Sequence, residues 1–172
     1  MTGALWHAQS YEPEYKPLCQ TSSKLIRSLS MIPWDKLHGG ITHFPIALLL
    51  FSTVCDFISV AFKKLPFARE LRSVSRYGLA VAALASLGAV ISGIALTKGD
   101  LWGRGDFLWH HRFIWPAFGL LVGLAVWRLV VKDAMAGATL YIYLILMTLA
   151  SGFIAAAGYF GGELLLSGGA LP

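Results

Sequence analysis

Charge is scarce in this chain, and cysteine scarcer still. Only 13% of its 172 residues are Asp, Glu, Lys or Arg, about half the share carried by an ordinary soluble domain, which excludes a solvated globular fold. There are two cysteines, Cys19 in a polar N-terminal stretch and Cys55 within a long apolar run, so a disulfide framework is excluded. No Cys-x-x-Cys-His sequence occurs, and covalent c-type haem attachment to this chain is excluded with it. Leu18 precedes Cys19 where a lipoprotein anchor needs a small residue, and no apolar run lies upstream. No Ser, His and acid constellation stands out, which argues against a hydrolase. Repeats and low-complexity segments are absent, and the length leaves no room for an enzymatic domain beside one compact bundle.

Apolar residues are what the chain has in excess: 56% of the total, with a mean hydropathy of +0.65. They gather into four segments at roughly 43–62, 77–96, 113–131 and 137–159. Each approaches the ~20 residues that cross a ~30 Å hydrocarbon layer as a helix. The expected fold is therefore an all-α integral membrane protein embedded in the lipid bilayer. A four-transmembrane-helix bundle covers 38–172, and an extended polar tail covers 1–37. Within the tail, 22–31 sets Leu25, Ile26 and Leu29 opposite Lys24, Arg27 and Ser28, the pattern of a short interfacial helix, with Trp34 as a headgroup-level anchor. Pro45 is expected in the first turn of the first spanning helix, where a proline costs no hydrogen bond.

Small residues are frequent in the second helix (Gly78, Ala82, Ala85, Ser86, Gly88, Ala89, Ser92, Gly93). Gly119-x-x-x-Gly123, Gly152-x-x-x-Ala156 and Gly158-x-x-x-Gly162 follow in the third and fourth. In lipid, where dispersion drives helix association, such spacings predict close helix packing.

The net charge of +5 is read as topology, not as a nucleic-acid footprint, because the basic residues flank the spans. Lys63, Lys64, Arg69, Arg72, Arg76, Arg128 and Lys132 lie on one side, against Lys36, Lys98, Arg104 and Arg112 near the other ends, a bias of seven to four. The positive-inside rule then puts the 63–76 loop in the cytoplasm and both termini in the periplasm of a bacterial inner membrane.

Four of the five histidines sit at one end of the bundle: His38 and His43 before the first span, His110 and His111 before the third. Two crossings return the chain to its starting face, so the two pairs share a side. Two imidazoles on facing helices are what a b-type haem needs. His43 and His111 are the leading pair, with His38 and His110 as alternates and Arg104 and Arg112 as partners for the propionates. Neighbours on a helix are ~100° apart, and the sequence leaves open whether His110 or His111 faces inward. A metal centre competes for His43 and His111, with His38, His110 and Glu163 in reach of the same face. The five-residue gap between His38 and His43 does not align them on one helical face, which weakens a compact mononuclear site. Asp56, inside the first span, is expected to pair with Arg128 at similar depth. Helices two and four carry no ionisable group in their interiors, which disfavours an ion path.

The stretch His38-Gly39-Gly40-Ile41-Thr42-His43-Phe44-Pro45-Ile46-Ala47-Leu48 resembles the opening signature of a family of small bacterial four-helix membrane proteins. Asp56, a histidine opening the third helix, and Gly161-Gly162-Glu163-Leu164 match further parts of its pattern, over about residues 38–169. Where family members continue to a His-Gly pair, this chain reads Leu166-Ser167-Gly168-Gly169, so one histidine is missing. The resemblance implies a companion of c-type cytochromes and membrane dehydrogenases. Two functions are carried forward: an electron-transfer subunit of a respiratory or dehydrogenase complex holding haem b, and a cofactor-free accessory subunit of a larger membrane assembly. Metal handling at the same face is a third, weaker reading.

Overall fold

The computed structural model describes residues 33–105, 107–132 and 134–166, with side chains described as far as residue 163. The interfacial helix expected at 22–31, and the rest of the tail before residue 33, lie outside the described residues. Four helices make up the fold: α1 (Trp34–Ala61), α2 (Ala68–Leu96), α3 (Phe107–Val131) and α4 (Gly137–Leu166). There is no strand among the described residues. All four are long and apolar enough to cross a membrane. At 1.5 Å per residue they run about 37–45 Å, so their ends project beyond the hydrocarbon into the headgroup layers.

The first three helices begin 6–9 residues before the hydropathy limits, at 34, 68 and 107. Hydropathy marks what hydrocarbon tolerates, whereas a helix continues through the headgroups, where Asp35, Lys36, Arg69 and Arg72 are solvated. Asp35 and Glu70 sit in the first turns of α1 and α2, where a carboxylate complements the positive end of the helix dipole. Pro45 consequently lies inside α1 and not in its first turn, as Pro116 lies inside α3. Such prolines survive in a bundle because neighbouring helices and local side chains compensate the lost backbone bond.

The helices contact one another in chain order around a ring, with the broadest contacts between α1 and α2 and between α3 and α4. The α2–α3 and α1–α4 seams are narrower. The bundle is thus two tight hairpins laid side by side, with α1 diagonally opposite α3. Leu49, Leu79, Leu121 and Met147 are fully buried at its centre. Leu84, Ile91 and Val130 are 66–74% exposed, the apolar exterior that a bilayer solvates at no cost. On α2 the small residues do admit a neighbour: a Cβ on Gly78 would lie 2.7 Å from Ser52 Oγ, and one on Gly88 3.7 Å from Ile41. Gly119, Gly123 and Gly152 differ from expectation, for they are exposed and a Cβ there would meet nothing within 4 Å. Those motifs face lipid because α3 and α4 contact each other through different faces.

Away from the histidines, one buried carboxylate ties the four helices together. Asp56 on α1 accepts from Ser75 Oγ on α2 at 2.6 Å and from Tyr143 OH on α4 at 2.8 Å. Arg128 Nη2 on α3 stands 3.5 Å from the other oxygen. Arg128 also donates to Lys132 O and to Arg72 O, and its guanidinium lies 5.5 Å from the Tyr143 ring centre. The expected Asp56–Arg128 pair is present. Ser75 and Tyr143 supply the further hydrogen bonds that a buried charge requires.

Candidate functional site: a histidine-lined cavity

At the opposite end the hairpins part around a cavity of about 400 Å³, walled by all four helices and by Asp100 of the α2–α3 loop. That volume lies within the range of small-molecule and cofactor sites. His38, His43, His110 and His111 all border it. The question of which α3 histidine faces inward has the answer that both do. Their rings meet edge to face, 5.6 Å apart.

Three of the four imidazoles are pinned. His110 Nδ1 lies 2.8 Å from Ala157 O, and His111 Nδ1 2.9 Å from Phe107 O. A carbonyl only accepts, so both Nδ1 atoms carry the hydrogen. His38 Nδ1 lies 3.0 Å from Ser92 Oγ, and the Ser92 hydroxyl itself donates to Ala89 O. Ser92 is therefore the acceptor, and His38 too is protonated on Nδ1. In the neutral ring each Nε2 is then a bare lone pair, fit to bind a metal or accept a proton. A hydrogen bond from Nδ1–H to a carbonyl is also what orients a histidine ligand and raises its basicity.

Each pinned ring also sits on a glycine. A Cβ on Gly93 would come 3.0 Å from His38 Cε1, and one on Gly161 2.9 Å from His110 Nδ1. At Gly103 it would come 2.5 Å from His111 Nδ1, in a backbone with φ +69° that side chains rarely adopt. Gly93 reads in the sequence as a helix-packing residue, and Gly161 only as part of the Gly161–Leu164 match to the family pattern. Only the pairing of α1 with α2 and of α3 with α4 reveals them as seats for imidazoles. Ser92 escapes sequence reasoning for the same reason.

The loop over 97–105 closes the α2–α3 side. Asp100 Oδ1 accepts from the backbone amides of Trp102 and Gly103, both at 3.1 Å, and these bonds hold its carboxyl below the usual carboxylate range. Trp115 Nε1 donates to Leu101 O at 2.6 Å, fastening the loop to α3. A shallow depression lined by Lys98 and Arg104 on the aqueous side shares Thr97 and Asp100 with the cavity.

The remaining sequence candidates stand apart. His43 is exposed at the cavity edge and makes no hydrogen bond among the described residues. Arg104, its side chain 95% exposed, lies 3.8 Å from Asp100. Arg112 is exposed over the Trp109 ring at 5.1 Å. Neither arginine lines the cavity wall, and nor does the exposed Glu163. Among the described residues no three His, Cys, Asp or Glu side chains are grouped to hold a metal ion, whereas a protein-bound zinc takes three or four ligands at about 2.0–2.3 Å.

No curated protein and no solved structure matches the chain. A family model does, over residues 35–170, which takes in almost the whole of the four-helix bundle, and the chain belongs to that family, described as "Predicted membrane protein (DUF2231)".

Proposed function

We propose that this protein is a membrane-embedded electron-transfer subunit of b-type-cytochrome kind, with haem b held in the histidine cavity. The observation that supports it is the set of pinned imidazoles on diagonal helices. His38 on α1 and His111 on α3 each give up the Nδ1 hydrogen to a fixed acceptor and keep Nε2 bare. Axial ligation of a haem asks for one such nitrogen from each of two facing helices, which suits this arrangement better than a bare ion with three or more ligands. His110 is the third imidazole bordering the same cavity, its ring edge to face with that of His111. His43, at the edge, becomes an alternate to His38.

When bound, a haem supplies one-electron redox chemistry. The chain's own part is to orient the imidazoles through Ser92 and Phe107 O, and to keep water out with the 97–105 loop and the apolar wall of Pro45, Ile114, Phe118 and Ile154. Lys98 and Arg104, outside the cavity wall in the adjoining depression, would offer cations to the propionates, with the exposed Arg112 as an alternate. The charge bias favours a periplasmic position for this end in a bacterial inner membrane. A c-type cytochrome is the fitting soluble partner there, in a respiratory or dehydrogenase assembly that exchanges electrons with the quinone pool.

The test is haemin titration of the purified chain in mild detergent, alongside His38→Ala, His111→Ala and His43→Ala. One equivalent with a low-spin Soret band, lost in the first two variants and retained in the third, is expected. Equal weak uptake by all four proteins would sink the proposal.

A further inference from the structure

Of the described residues bordering the cavity, only two are exposed, His43 on α1 and Gly158 on α4, and these two helices share one seam. The seam is one of the two narrow ones. The other, between α2 and α3, is closed at this end by the fastened loop. The lining is thus most exposed at the α1–α4 seam, beside His43.

The seam has a definite chemistry at this end. A Cβ on Gly39 or Gly162 would meet nothing within 4 Å, and one on Gly158 would meet only Ile46 Cδ1 at 3.8 Å. Gly39 and Gly162 thus leave open space on both helices of the seam, beside the Ile46–Gly158 contact. Pro45, Ile46 and Ile154 of these helices line the cavity. A polar side chain facing lipid is costly, yet among the described residues the His43 imidazole has no hydrogen-bond partner. Thr42, its neighbour, is already satisfied by Gly39 O. The charged side chains bordering the cavity, Asp35 and Asp100, are acidic, which opposes a phospholipid phosphate and leaves a neutral head as the complement.

We propose that the α1–α4 seam is a docking site for the head of a membrane-diffusible quinone or quinol, whose ring oxygen bonds the His43 imidazole while its tail stays in the bilayer. As a place for a redox partner this rests on the haem reading; as a binding site it stands on its own geometry. His43 serves a quinone carbonyl as donor or a quinol hydroxyl as acceptor, according to tautomer. The site takes the lipid-soluble carrier, and the capped aqueous side is left to a water-soluble one.

The experiment uses the full chain in nanodiscs, without added haem. Retention of radiolabelled decylubiquinone is measured over that of empty discs, with His43→Leu, Gly158→Phe and, as reference, Leu84→Phe, a lipid-facing change on α2. The expected result is one saturable site, about tenfold weaker in His43→Leu, as the loss of a single hydrogen bond predicts. Binding should vanish in Gly158→Phe and stay unchanged in Leu84→Phe. Retention equal to empty discs, or equal in all four proteins, overturns the proposal. Its failure and that of the haem reading are separable: a chain that takes no haem but binds quinone at His43 refutes only the latter, and the converse refutes only the former.

Discussion

The buried Asp56 network makes a prediction about which partner holds the carboxylate. Arg128 carries the opposite charge, yet its closest approach is 3.5 Å, and it has carbonyl acceptors at Lys132 and Arg72. Ser75 and Tyr143 approach to 2.6 and 2.8 Å. A hydrogen bond to a charged group is worth about 1.5–3 kcal/mol, whereas interhelical bonds measured in a bilayer average about 0.6 and reach about 1.7. The overlap of these ranges sets Tyr143→Phe at about 1.5 kcal/mol, because the Phe ring keeps the packing against Trp127 and Arg128. At about 2–4 °C per kcal/mol for a chain of this size, the melting point should fall by about 3–6 °C. A double-mutant cycle by thermal unfolding in detergent, pairing Asp56→Asn with Tyr143→Phe and then with Arg128→Leu, apportions the network. The account requires the Asp56–Tyr143 coupling to be at least as large as the Asp56–Arg128 coupling. A dominant Arg128 term with Tyr143→Phe near zero would refute it and make the ion pair the staple.

Other consequences follow from the cavity and its cap. Gly103→Ala meets both a left-handed backbone and the His111 ring, and should cost about 1–2 kcal/mol in melting experiments together with most haemin uptake. Gly119→Ala, with nothing within 4 Å, should leave both unchanged. Asp100→Ala removes the acceptor shared by the Trp102 and Gly103 amides, so their hydrogen-exchange protection should drop while that of α2 and α4 holds. In the intact protein the sign follows from the lowered carboxyl. The ionised form is favoured in the folded loop, so its contribution is complete above the ordinary carboxylate pKa of about 3.9 and is lost as pH falls through the lower folded value. Protection factors at those amides should be flat from pH 7 to 5, and a loss of protection near pH 6 would contradict the assignment. Gly161→Val, crowding His110 against Ala157, should perturb the Soret position of loaded protein without unfolding it.

Much of this architecture is legible in the residues. Four apolar runs of spanning length dictate four helices, and His38, His43, His110 and His111 fall on one side by counting crossings. Asp56 and Arg128 at matching depth on helices one and three foreshadow their pair. Helix starts are less legible, because a helix entering the headgroups at Trp34 or Phe107 is polar enough to read as loop. The partners of the histidines are not legible at all. Ser92, Gly93, Gly103 and Gly161 acquire meaning only through the register of α1 on α2 and of α3 on α4 and its loop. Small residues at 88–93 look the same whether they seat a neighbouring helix or an imidazole. Gly119-x-x-x-Gly123 shows the reverse error, a packing motif in sequence that the bundle turns outward.

The central claim is that His38 and His111 present bare Nε2 atoms to a haem. A reduced-minus-oxidised visible spectrum of the chain purified from its native membrane tests it most directly. The account predicts a b-type α-band that disappears in both His38→Ala and His111→Ala while the variants keep their helical content. A featureless spectrum from folded wild-type protein, or an α-band untouched by either substitution, would contradict it.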